Sequence, residues 1–124
     1  LVLIHGGPHG HADPCLTLFK YMLLKCGYSI LMPNFSGSSD WLVASEKALG
    51  NIGKQDAEEI ITLIKNVLAQ KSDLDKNRVY AYGGSYGGYM AAIMGSRYHE
   101  YFKAAVILNG VLSVPGNFWF SDIP

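Results

Sequence analysis

Residues 83–88 read Gly83-Gly84-Ser85-Tyr86-Gly87-Gly88, and they join a β-like run at 78–82 directly to an apolar helical pattern over 86–97. A chain that passes from strand to helix within so few residues must turn sharply. At such a turn the residues two before and two after the central one lie almost on top of each other. A Cβ at position 83 or 87 would collide, so both positions require glycine. The turn lifts the Ser85 hydroxyl above the end of the sheet. It also aims the backbone N–H of Tyr86, at the helix N-terminus, toward any negative charge that forms beside it. In this strand–turn–helix setting, Gly-x-Ser-x-Gly is the pattern of an exposed serine nucleophile. The bland reading is a glycine-rich turn with a capping serine. A nucleotide loop is excluded, because the motif lacks the Gly-x-Gly-x-x-Gly order and has no lysine of the phosphate-binding type.

The remaining pattern fits a layered α/β architecture. Four β-like runs, at 1–4, 28–32, 78–82 and 104–108, alternate with helical segments at about 13–26, 55–70 and 86–97. Runs 1–4 and 104–108 are continuously apolar, as expected for strands covered on both faces. In the 55–70 segment Ile60, Leu63, Ile64, Val67 and Leu68 form one apolar stripe. Asp56, Glu58 and Glu59 lie in its first turns, and Lys65 and Lys71 toward its end, matching the helix dipole. The 86–97 helix is apolar on nearly every side and is therefore expected to be central. Such alternation predicts a partial parallel sheet with helices on both faces. Residues 34–51 form the longest irregular stretch, expected to be a functional or poorly ordered loop.

A second glycine loop, His5-Gly6-Gly7-Pro8-His9-Gly10, follows the first run. Alone it reads equally well as an ordinary Gly-Pro turn. Two such loops after parallel strands converge on one site at the carboxyl ends of those strands. A backbone N–H exposed by the small residues of this loop then becomes the candidate second donor to an oxyanion. His9 and His11 lie near this loop, but solvated loop histidines are the commoner case, and His99 is expected at the surface. Asp56 is better explained as a helix N-terminal charge. Asp122 comes too soon after the last run for the usual Ser…Asp…His order.

Composition removes other classes. Lysine plus arginine and aspartate plus glutamate both total 10, with no basic stripe, so nucleic acid and anionic membrane are poor partners. With 49% hydrophobic and 16% charged residues the chain buries a core. Cys15 and Cys26, if on one helix, would stand roughly 16 Å apart along its axis, beyond disulfide reach. Thiols in a reducing compartment are the expectation. No cofactor or metal is implied. The chain opens inside an apolar run and ends at Asp122-Ile123-Pro124, which reads as one piece, 1–124, of a longer catalytic domain.

With these residues in place, the sequence resembles the prolyl oligopeptidase family of serine peptidases, over essentially its whole length. The resemblance rests on 5–9, on Met32-Pro33-Asn34-Phe35-Ser36-Gly37-Ser38, on Gly50-Asn51-Ile52-Gly53-Lys54-Gln55-Asp56 and on 83–90. Gly-Asn-x-Gly and the final Asp-Ile-Pro favour the acylaminoacyl branch. The resemblance implies an α/β-hydrolase fold, Ser85 as nucleophile and the N–H groups of Tyr86 and Gly7 as oxyanion hole. It implies release of an N-acylated amino acid from the blocked N-terminus of a short peptide, a cytoplasmic location and room for a homo-oligomer. Family members carry a β-propeller before this domain and the triad Asp and His well after the serine, neither within this chain. Ser36 stands where the family usually has arginine, and Asp40 where it usually has glycine. The alternatives are a dipeptidyl peptidase or carboxylesterase of the same fold, or a catalytically dead relative serving as an interaction module.

Without a positioned histidine, Ser85 has no general base, and loss of a triad member costs on the order of 10⁴-fold in rate. Residues 1–124 alone are therefore expected to show negligible turnover of an acetyl-amino-acid anilide. Triad-like rates in that assay would implicate His9 or His11 as the base.

Overall fold

The computed structural model describes residues 1–39 and 50–120. Strand β1 (Val2–Ile4) is followed by helix α1 (Leu18–Lys25) and helix α2 (Gln55–Gln70). Strand β2 (Tyr80–Gly84) leads into helix α3 (Tyr86–Arg97), a 3₁₀ turn (His99–Tyr101), strand β3 (Ala104–Leu108) and helix α4 (Val114–Phe120). The sheet is parallel throughout, in the order β1-β2-β3, with Leu3 opposite Tyr82 and Tyr82 opposite Val106.

Period-two alternation along β1 and β2 sorts the side chains between the faces. Val2, Ile4 and Ala81 point to one face and are buried with Ile60, Ile61 and Ile64 of α2 and Met90, Ala91 and Met94 of α3. Tyr80 and Tyr82 point to the other face. There Tyr82 meets Phe19 of α1, with ring centroids 5.1 Å apart, and Tyr80 meets Tyr28 edge-on at 5.9 Å. Helices thus lie on both faces, as the alternation of elements predicts. Helix α3 is central, because its buried face includes Gly87 and Gly88 and so approaches the strands closely. The apolar stripe of α2 faces inward as expected. Lys65 does not act at the helix end; its Nζ lies 4.8 Å from the centre of the Tyr101 ring.

Three expectations from the sequence are corrected. Residues 28–32 do not form a strand: their pairing with the sheet is a single parallel bridge, Leu31 to Val2. The Leu1 ammonium donates to the Ser29 carbonyl, Leu31 N–H to the Leu1 carbonyl and Leu3 N–H to the Leu31 carbonyl, each at 2.8 Å; the next donor in this register would be position 33, where Pro33 has no N–H. Helix α1 starts at Leu18 rather than near 13: Thr17 caps it by accepting from Lys20 N–H, while Asp13 Oδ1 accepts from Cys15 N–H in the lead-in. The buried Lys20 ammonium donates back to the carbonyls of Asp13 and Cys15, which fixes 13–17 as an irregular lead-in. Finally, β3 is not covered on both faces. Val106, Ile107 and Leu108, which alternate between its two faces, are 51%, 42% and 54% exposed, and β3 lies at the edge of the described sheet.

Both cysteines are free and exposed. No helix among the described residues is long and apolar enough to cross a membrane.

Candidate active site

The elbow is built by the close approach of two backbone segments. A Cβ on Gly83 would stand 2.0 Å from the Gly87 carbonyl oxygen, and one on Gly87 would stand 2.2 Å from the Ile4 carbonyl oxygen. Those gaps hold hydrogens and nothing larger. Between them Ser85 sits at φ 56°, ψ −122°, one of two non-glycine residues at positive φ among the described residues. Such a conformation costs on the order of 1–3 kcal/mol and persists where the surroundings over-determine it.

Those surroundings are visible. Ser85 N–H donates to the Leu108 carbonyl at the end of β3 (3.0 Å), and the Ser85 carbonyl accepts from Tyr89 N–H (3.1 Å). Gly88 abuts Gly110, where an added Cβ would lie 2.8 Å from Cα. Ser85 itself is half-buried at the carboxyl end of β2. As the first residue of α3, Tyr86 has a backbone N–H among those a helix leaves without an intrahelical partner.

The loop after β1 lies against this turn. A Cβ built on Gly6 would be 3.6 Å from Ser85 Cβ and 3.5 Å from the Gly84 carbonyl oxygen. Gly7, the next residue, is exposed and has φ 130°. The structure therefore brings the two glycine loops together. The anchor of the first loop is His5, which sequence reading treated only as part of a motif. Its ring stacks on Phe35 at 4.4 Å and 7°, its Nε2 hydrogen-bonds Ser38 Oγ at 2.9 Å, and its Nδ1 lies 2.7 Å from the Gly6 carbonyl oxygen. Ser38 is wholly buried, and its Oγ also accepts from Phe35 N–H at 3.0 Å.

His9 is exposed. His11 Nδ1 pairs with Ser39 Oγ at 3.2 Å, and His99 Nδ1 pairs with the Ser96 carbonyl at 3.0 Å. Asp122 and Asp40 lie outside the described residues.

Asp56 does lie in the first turn of α2, but its role exceeds that of a dipole charge. It is 3% exposed, and its Oδ2 accepts from Gly53 N–H at 3.1 Å and from the Tyr86 hydroxyl. Burial, followed by the hydrogen bond to Asp56 and its charge, raises the Tyr86 phenol well above its ordinary pKa, so it stays protonated and donating. No periodicity signals this contact, since it spans 30 positions.

Ser36, where the family usually has arginine, is accommodated by hydrogen bonding. Its N–H donates to Glu59 Oε2 at 2.7 Å and its hydroxyl to Oε1 at 2.6 Å, while Gln55 Nε2 donates to the same Oε1 at 2.9 Å. Among the described residues there is no cluster of side chains suited to a metal ion. A cleft of about 370 Å³ lies at the opposite, amino end of the strands, lined in part by Leu1, Tyr28, Leu74, Arg78 and Tyr80, a full strand's length from Ser85.

A serine on a strained strand-to-helix elbow, over a parallel sheet with helices on both faces, defines the α/β-hydrolase class. Residues 17–124 match the profile of the prolyl oligopeptidase family, and the chain belongs to that family. It is 34% identical over 125 aligned positions to the acylamino-acid-releasing enzymes of Sus scrofa and Homo sapiens, covering 100% of this chain and 17% of each relative. Its fold matches the uncomplexed acylaminoacyl peptidase of Pyrococcus horikoshii with a TM-score of 0.92 at 29% identity, over 98% of this chain and 20% of that one. The chain thus spans about a sixth of the curated relatives' length.

The elbow makes a position-by-position prediction. A Cβ on Gly84 would meet nothing closer than 3.8 Å, in contrast to its neighbour Gly83. In a full-length protein carrying this segment, Gly84→Ala is expected to retain labelling of Ser85 by a fluorophosphonate probe. Gly83→Ala is expected to lose it, with a lowered midpoint of thermal unfolding.

Proposed function

We propose that these residues are the nucleophile-bearing part of a larger serine peptidase of the acylaminoacyl type. It would cleave an N-acylated amino acid from the blocked N-terminus of a short peptide. The observation that carries this reading is Ser85 at φ 56° on the elbow, with the Gly6–Gly7 loop against it. The names of the relatives supply the substrate class.

In this mechanism the Ser85 hydroxyl attacks the carbonyl carbon of the acylated residue and loses its proton to a histidine. The resemblance places that histidine, with its aspartate, after the serine and outside this chain. The carbonyl oxygen takes up negative charge and moves toward the backbone N–H groups of Tyr86 and Gly7. Two preorganised donors in a water-poor site stabilise that charge, and loss of one such donor typically costs about 10²–10³-fold in kcat. Collapse of the intermediate expels the shortened peptide as an amine and leaves the acylated residue esterified to Ser85. Water then releases it by the reverse sequence of proton transfers.

The proposal extends to the setting of the protein. Free, exposed Cys15 and Cys26 suit a reducing, cytoplasmic compartment. The exposed apolar side chains of β3 suit burial by further chain or by another subunit in the intact protein.

A fluorophosphonate probe should label the full-length protein at Ser85, and Ser85→Ala should abolish both labelling and release of acetyl-amino acids from acetylated peptides. Persistent labelling of the Ala variant would mean another nucleophile. Preference for free-amine dipeptides or simple esters over acetylated peptides would move the protein to a different branch of the same fold.

A further inference from the structure

Tyr86 faces the reaction with its backbone and the protein interior with its side chain. The phenol, on a residue only 7% exposed, reaches the first turn of α2 and donates to Asp56 Oδ2. Asp56 is held rigidly in turn: Oδ2 accepts Gly53 N–H at 3.1 Å and Oδ1 accepts Ala57 N–H at 2.8 Å. The same turn is tied to the far end of α3, where Arg97 Nη1 donates to the Gly53 carbonyl at 2.8 Å. Helix α3 is therefore fastened to residues 53–56 at both its first and its last residue. Packing completes the arrangement. Tyr86 lies 5.8 Å from the Tyr89 ring and 6.0 Å from the Phe35 ring, and Phe35 stacks on His5 of the opposing loop.

An N–H at a helix start points where its own Cα and the preceding peptide plane direct it. Fixing the Tyr86 side chain against a buried carboxylate removes the freedom of that residue to rotate. Oxyanion stabilisation depends on donors that need no reorganisation when charge develops, and a misplacement of about 1 Å costs about 10²-fold. We propose that Asp56 is a positioning residue for the reaction: through the Tyr86 hydroxyl it holds the Tyr86 N–H in line for the oxyanion. This inference rests on Ser85 being the nucleophile. A buried hydrogen bond that served stability alone would leave the transition state untouched once the protein is folded.

The test uses the full-length protein carrying this segment, as wild type, Tyr86→Phe, Asp56→Asn and the double variant. Each is assayed for Ser85 labelling by fluorophosphonate, unfolding midpoint, kcat and KM on an acetyl-amino-acid anilide, and inhibition by an acetyl-peptide aldehyde. The aldehyde adduct carries its oxygen where the oxyanion forms. Tyr86→Phe is nearly isosteric, and it is expected to lower kcat about 10-fold with KM within about twofold. Aldehyde affinity should fall by the same factor. Asp56→Asn keeps one acceptor oxygen but sets its amide NH2 against a backbone N–H of Gly53 or Ala57; it is expected to lower kcat by a similar factor, and the double variant by no more than the worse single one. Folded Tyr86→Phe with wild-type kcat and aldehyde affinity overturns the inference, as do losses that multiply in the double variant. Failure of the wild type to label at Ser85 overturns the nucleophile assignment and this inference together, whereas labelled variants with unchanged kinetics overturn this inference alone.

Discussion

The structure depends on two backbones passing where no side chain could. Gly83 and Gly87 meet across the elbow, and Gly87 in turn rests on the carbonyls of Ile4 and His5 at the end of β1. That single stack of three chain segments sets the height of α3 above the sheet. It forces Ser85 into a conformation an L-residue avoids, and it draws the loop after β1 against the loop after β2. Methyl groups at these positions would move α3 outward and release the strain, and the serine would then settle into an ordinary helix cap. The unfavourable backbone at Ser85, about 1–3 kcal/mol, is sustained by the packing of the buried core around it. Val2, Ile4, Ala81, Met90 and Met94 all lie within that core.

Around this stack the two loops are braced separately, and the braces meet. The loop after β1 is anchored by His5 on Phe35 and Ser38. The elbow is anchored by Tyr86 on Asp56 and by Ser85 N–H on the end of β3. Phe35 lies between the rings of His5 and Tyr86, so residues 35–38 and the first turn of α2 support both sides of the site. This explains why the segments that support the family resemblance extend beyond the serine motif, to 32–38 and 50–56. Within them, Phe35 and Ser38 contact His5, and Asp56 contacts Tyr86.

What was legible in the sequence followed from local rules. The elbow declared itself through its glycines, α2 through its apolar stripe, and the parallel sheet through the alternation of short runs with helices. What was not legible depended on distant partners. Residues 28–32 are apolar enough for a strand, yet pairing past Leu31 would need an N–H at position 33 for the Leu3 carbonyl, and Pro33 has none. Asp56 carried the ordinary signature of a helix-start acid, and nothing in its neighbourhood announced a tyrosine 30 positions away. Ala104–Leu108 had the composition of a fully covered strand, but coverage is a property of what packs against it, and composition records only what the strand itself brings. Ser36 departs from the family pattern, and the compensating contacts with Glu59 and Gln55 became visible only in three dimensions.

The central claim is geometric: amides from two loops converge on the oxygen that forms beside Ser85. A crystal structure of the full-length protein with an acetyl-peptide boronate tests it most directly. The account predicts a covalent bond from Ser85 Oγ to boron, with one boronate oxygen about 2.7–3.1 Å from both the Tyr86 and the Gly7 nitrogens. A boronate bound elsewhere, or an adduct oxygen turned away from those two nitrogens, would contradict it.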